Sequence, residues 1–159
     1  MVVNRNGRPP ARSYPDLVAL RCLIVDDNPG FLHAARALLE QEGVRVVGTV
    51  STPEEAVRLV IDVHPDVTLL DIDLGAYSGF DLARQLVDDP RTEPGHLILV
   101  SAHAEDDMTE LIEASPAIGF VKKPALSAKA IDQLVRAVGG AAPPPVSRNP
   151  DGPPGRSTR

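Results

Sequence analysis

Residues 67–81 read VTLLDIDLGAYSGFD. Val67 to Leu70 is a nearly continuous apolar stretch, which predicts a strand covered on both faces rather than one with a wet side. The run stops at Asp71 and passes through a short loop containing Gly75. Ser78, with Asp81 three residues on, then forms a capping box ahead of Ala83, Leu86 and Val87 at helical spacing. A buried strand that leads through an acidic loop into an amphipathic helix is one β-α unit, and the question is whether it repeats.

It does, in both directions along the chain. Apolar runs recur at Cys22 to Val25, Val44 to Val50, Leu97 to Val100 and Ile118 to Val121. The second is broken by Arg45, Gly48 and Thr49 and reads as an edge strand, while the others resemble the run at Val67. Helical segments fill the gaps. Asn28-Pro29 starts the first, Thr52-Pro53-Glu54-Glu55 caps the second, and Ser127 opens the last with Ile131, Leu134, Val135 and Val138 along one face. The fourth helix is expected over Glu105 to Ala114. Strict β-α alternation with short links implies a parallel sheet with helices on both faces, because crossovers are right-handed. With five strands the common order is 2-1-3-4-5, and chemistry collects beyond the carboxyl ends of the strands.

The chain has 159 residues, enough for one ordinary domain. Residues 1–20 carry three Arg and one Asp, as do residues 139–159, so each end is +2 and the body from 21 to 138 carries −10, which gives the net −6. An acidic body argues against a nucleic-acid surface. In residues 139–159 ten of 21 positions are Pro or Gly, so a disordered tail is expected there, a mostly disordered extension over residues 1–20, and a folded domain over residues 21–138. The lone Cys22 allows no intramolecular disulfide, and no apolar stretch reaches membrane-spanning length, so a cytoplasmic setting without membrane contact is expected.

The strand ends carry the chemistry. The first strand ends in Asp26-Asp27, the third in Asp71, the fourth in Ser101 and the fifth in Lys122-Lys123-Pro124, while the second offers nothing ionisable. In the order 2-1-3-4-5 these four strands are neighbours, so three carboxylates, a hydroxyl and an ammonium meet at one rim. Carboxylates gathered so closely call for a hard divalent cation, and Mg²⁺ takes oxygen ligands. No His or Cys stands with them: His33, His64, His96 and His103 fall on different elements without ligand spacing. A carboxylate, Mg²⁺, a lysine and a small hydroxyl are the parts needed to stabilise a phosphoryl group in transfer.

The segments LIVDDN, LLDIDLGAYSGFDLAR, LILVSAHA and GFVKKP, taken together and in this order, resemble the receiver domain of two-component response regulators, over residues 21–138. The resemblance implies a flavodoxin-like, doubly wound α/β fold. It implies that Asp71 is the phosphoacceptor for a phosphohistidine on a sensor histidine kinase or histidine phosphotransfer protein. Asp27 and Asp71 would bind Mg²⁺ directly, Asp26 through water, and the backbone carbonyl of Asp73 would complete the ligands. Ser101 and Lys123 would contact the phosphoryl group, and Ser101 with Phe120 would form the switch. Leu74-Gly75 departs from the family's common Met-Pro and removes no catalytic atom. After Val138 only 21 Pro/Gly-rich residues follow, too few for a helix-turn-helix module. The expected output is therefore contact with a downstream protein target or phosphate relay, without direct nucleic-acid binding.

Each residue has an ordinary reading when taken alone. Asp26-Asp27 can be a turn before a helix cap, Asp71 a loop opener, Ser101 a cap, Lys122-Lys123 a solvated pair, and Phe120 core packing. Their convergence on one rim is what favours the receiver. Two rivals stand beside it. Asp71-Ile72-Asp73 resembles the nucleophile motif of haloacid-dehalogenase-type phosphatases, although that family places it near the domain start. A pseudo-receiver used purely for contacts would have lost an acid or Lys123, and none is lost. The chain is thus expected to be a signalling phosphoacceptor that catalyses its own phosphorylation and dephosphorylation, not an enzyme acting on other substrates.

Overall fold

The computed structural model describes residues 20–102 and 108–139. The five main strands are β1 (Arg21–Val25), β2 (Arg45–Val50), β3 (Val67–Asp71), β6 (His96–Ser101) and β7 (Gly119–Lys122), with β4 (Asp73–Leu74) and β5 (Tyr77–Ser78) forming a small separate hairpin. The helices are α1 (Pro29–Gln41), α2 (Pro53–Val63), α3 (Gly79–Asp88), α4 (Thr109–Ala114) and α5 (Ala128–Gly139), and a 3₁₀ turn covers Lys123–Ala125. The main sheet has the order β2-β1-β3-β6-β7, all parallel. This is the expected 2-1-3-4-5 arrangement of a doubly wound, flavodoxin-like α/β fold, with the interrupted run at the edge.

Successive side chains in a strand point to opposite faces, and the buried residues sort accordingly. Cys22 and Ile24 of β1, Val67 and Leu69 of β3, and Ile98 and Val100 of β6 pack with Ala35 and Leu39 of α1 and with Ile131 and Val135 of α5. Leu23, Val25, Leu70, Leu97 and Leu99 face the other way, against Ala56 and Val60 of α2, Leu82 and Leu86 of α3, and Ile112 of α4. Thr68 is buried on that second face, and its hydroxyl donates to the Pro94 carbonyl at 2.8 Å, which satisfies the polar group. Leu20, just before β1, is also buried.

Caps set the helix starts. The Thr52 hydroxyl accepts from Glu55 N while Glu55 accepts from Ser51 N. Ser78 accepts from Phe80 N rather than from Asp81 N, so its capping bond reaches one residue less far than the expected box. Ser127 accepts from Ala130 N, and Ala128 N donates to Glu42 beyond the end of α1, which ties the last helix to the first. The expectation for α4 falls partly on residues 103–107, outside the described residues, and the described helix is the shorter Thr109–Ala114.

Between Cys22 and Leu23 the pairing of β1 with β2 slips: Cys22 faces Val46 and Leu23 faces Gly48, leaving Val47 as an extra residue on the edge strand. Such a bulge bends and twists the strand that carries it. Among the described residues no helix is long and apolar enough to cross a membrane.

Candidate functional site

Four neighbouring strands deliver the site. β1 stops at Val25, and Asp26 N is still held to the Val50 carbonyl of β2, so Asp26 leaves the sheet in a fixed place. Asp26 is fully buried. Its Oδ1 accepts from Asn28 N at 2.8 Å. Asn28 also caps α1, accepting from Phe31 N at 3.1 Å, with Pro29 at the first helical position. Asp71 is the last residue of β3, paired with Val100 of β6 and 5% exposed. Its Oδ1 accepts from Asp73 N at 3.3 Å.

The carboxylates of Asp26, Asp27 and Asp71 each offer an oxygen within 4.8 Å of the other two. Ser101 closes β6 beside them and is buried. Lys123 opens the 3₁₀ turn instead of extending β7, and its Nζ lies 2.7 Å from Asp26 Oδ2 and 3.6 Å from Asp71 Oδ2. The ammonium thus rests chiefly on Asp26, not on the strand 3 acid. Its other neighbour is the Phe31 ring, with the centroid 4.5 Å away.

A cleft of about 250 Å³ opens among Asp27, Asp71, Asp73, Gly75, Ser101 and Lys123. At roughly 30 Å³ per water, this admits a hydrated cation and a small anion but does not engulf a nucleotide. Gly75 sits at the turn of the β4–β5 hairpin with φ +69°, a conformation that other residues adopt at a cost. A Cβ there would lie 3.3 Å from Asp27 Oδ2. The departure at Gly75 therefore shapes the wall of the cleft as well as the flexibility of the loop.

The electrostatics follow from crowding. Burial, then the charge of Asp26, push the Asp71 carboxyl up to about 6, against the opposing pull of the Asp73 N–H and Lys123. Burial works against the Lys123 ammonium, but its close ion pair with Asp26 and the charge of Asp71 outweigh it and hold it above the ordinary lysine range. Even with Lys123 in place, the site is short of positive charge. The donors are all hard carboxylate oxygens, so the residues present fit Mg²⁺ or a similar cation and do not suit zinc or copper.

Not every expected residue meets in the cleft. Phe120, paired in register with Leu99, is partly buried beside the second core face and walls a groove with Lys122, Ala130 and Leu134. Asp73 stands at the rim with an exposed side chain. Two contributors escaped the sequence reading. Asn28 was legible as a cap but not as the donor to Asp26, and Phe31 carried no signal because its ring meets a lysine 92 residues away.

Residues 22–136 match the family described as the response regulator receiver domain. Among curated proteins, the chain is 30% identical over 106 residues to protein-glutamate methylesterase/protein-glutamine glutaminase 3 of Geobacter sulfurreducens, covering 66% of this chain and 28% of that protein. It is 29% identical over 116 residues to the transcriptional regulatory protein LiaR of Bacillus subtilis, covering 72% and 54%. The chain therefore spans about a quarter to a half of the length of these relatives. Among solved structures it resembles the signal receiver domain of a modulated diguanylate cyclase from Desulfovibrio desulfuricans, with TM-score 0.61, 27% identity, and coverage of 74% of this chain and 90% of that one. The response regulator domain of Thermotoga maritima CheB shares the fold, with TM-score 0.63, 23% identity and coverage of 78% and 98%. With its sheet order, its rim of acids and this match over most of its length, the chain belongs to the response regulator receiver domain family of two-component systems.

Proposed function

We infer that the chain is a phosphoacceptor in which an Asp71 carboxylate oxygen attacks the phosphorus of a phosphohistidine on a sensor histidine kinase or histidine phosphotransfer protein. The O–P bond forms as the N–P bond breaks, and the imidazole leaves. The observation that carries this reading is the placement of Asp71 at the end of a central strand, with its carboxylate 3.6 Å from Lys123 and gathered with Asp26 and Asp27. Asp26, Asp27, Asp71 and the Asp73 carbonyl would hold Mg²⁺. When bound, the ion supplies charge that offsets the carboxylates and the phosphoryl oxygens. Lys123 and the Ser101 hydroxyl hold phosphoryl oxygens.

Ser101 and Phe120 couple this event to the surface. Their strands are adjacent, and Phe120 borders the groove between β7 and α5, where a downstream protein target would feel its rearrangement. The enzymatic and transcriptional functions named for the relatives belong to proteins longer than the span matched here. A haloacid-dehalogenase reading would need Asp73 as acid/base, and the family match supports the receiver instead. The test is incubation of the full chain with autophosphorylated histidine kinases and with phosphoramidate. About one phosphoryl group per chain, lost in Asp71→Asn, supports the reading, whereas continuous release of phosphate over many turnovers overturns it.

A further inference from the structure

Lys123 is enclosed on three sides. Asp26 Oδ2 and Asp71 Oδ2 take two of them, at 2.7 and 3.6 Å, and the Phe31 ring, 4.5 Å from Nζ to centroid, takes the third. An ammonium has three N–H donors on a flexible four-carbon stem, so two carboxylates leave one direction open. The negative face of an aromatic ring closes it.

The ring is held where it is. Asn28 N donates to Asp26 Oδ1 and the Asn28 side chain accepts from Phe31 N, so one capping residue fixes the carboxylate and the stretch of backbone that carries the aromatic. Phe31 also packs on the core formed by α1, α5 and the sheet, which restrains its rotamers. Attraction to a ring face is broad, whereas a hydrogen bond to one oxygen is directional. A ring face therefore constrains the choice between Asp26 and Asp71 less than a third directional acceptor would.

We propose that Phe31 is a positioning residue for phosphoryl transfer, whose ring face holds the Lys123 ammonium at the acid cleft so that the lysine is in place when a phosphoryl group reaches Asp71. The role rests on reading Asp71 as the phosphoacceptor. It predicts that the electron density of the ring matters, beyond its volume.

The test uses the full chain with Phe31→Tyr, Phe31→Leu, and phenylalanine at position 31 carrying one, two or three ring fluorines. Two quantities are measured: the rate of phosphate uptake from phosphoramidate with Mg²⁺, and, in the Mg²⁺-free chain, the exchange of the Lys123 ammonium protons with water by ¹⁵N NMR. Phe31→Tyr should stay within about twofold of the native chain, and Phe31→Leu should take up phosphate about three- to tenfold more slowly, with faster ammonium exchange. Each fluorine should move both readouts further in that direction at constant melting temperature. Flat responses across the fluorine series, with normal uptake by the native chain, overturn the role of Phe31. No uptake by the native chain overturns the phosphoacceptor reading and this role with it, while ammonium exchange still reports whether the ring holds the lysine.

Discussion

Gly79, the first residue of α3, is packed against the backbone at Asp71: a Cβ on Gly79 would lie 2.8 Å from Ile72 Cα and closer still to the Asp71 carbonyl. Gly79 N also donates to the Ile72 carbonyl at 2.7 Å. The helix start thus rests directly on the strand end that carries the acid. Helix propensity alone would make Gly79→Ala stabilising by up to ~1 kcal/mol. Here the obstacle is backbone, which cannot swing aside, so the substitution should instead cost about 1–3 kcal/mol in urea unfolding and slow phosphate uptake. A more stable Gly79→Ala protein would contradict the close approach.

The two adjacent lysines should behave differently. Lys122 is exposed, while the Lys123 side chain is 18% exposed and pairs with fully buried Asp26. Lys123→Ala strands that carboxylate and should cost roughly 3 kcal/mol of stability, in addition to impairing phosphorylation or its coupling to Phe120 severely. Lys122→Ala acts through long-range charge and should change either quantity little. Uptake rates and phosphate lifetimes of the two variants decide the matter, and a larger defect at Lys122 would reverse the assignment.

The raised carboxyl of Asp71 gives the Mg²⁺-free chain a particular pH dependence. The native state holds its proton up to about 6 and the unfolded chain only to about 3.8, so the native state binds more protons across that window. Stability from this group is therefore full below pH 4 and is lost as pH rises through 6. Discounted for solvent near the cleft, the loss is about 1–2 kcal/mol. Asp71→Asn keeps an acceptor for Asp73 N without the charge, and should be more stable than the native chain at pH 7 but not at pH 4. Chemical denaturation of both proteins at the two pH values provides the measurement.

Cation binding should run the other way. Adding Mg²⁺ should raise the melting temperature at pH 7 more than at pH 5, because protonated Asp71 is a poor ligand, and Asp27→Ala should abolish most of the shift. Equal shifts at both pH values would place the binding elsewhere on this acidic chain.

Much of this architecture was written in simple patterns. Unbroken apolar runs marked the central strands, the interruptions at Arg45 and Gly48 marked the edge, and the acids, Ser101 and Lys123 lay where runs stopped. What escaped depends on distance in space or on very short elements. The β4–β5 hairpin has two residues per strand, too few for any periodicity to register. The preference of Lys123 for Asp26 over Asp71 is a difference of 0.9 Å, from 2.7 and 3.6 Å, at a residue that begins a 3₁₀ turn. The restriction at Gly79 comes from tertiary packing, since nothing about a glycine after a capping serine signals that a strand lies beneath it.

The extra residue at Val47 bears on solubility. A parallel sheet leaves its outermost strand with a free row of amide and carbonyl groups, which invites another chain to add on. Because β2 bends where Val47 is inserted, a straight intruding strand would fall out of step with those groups after a few residues. The irregularity makes the β2 edge a poor template for aggregate growth, and removing Val47 to restore a regular ladder would trade that protection for straightness.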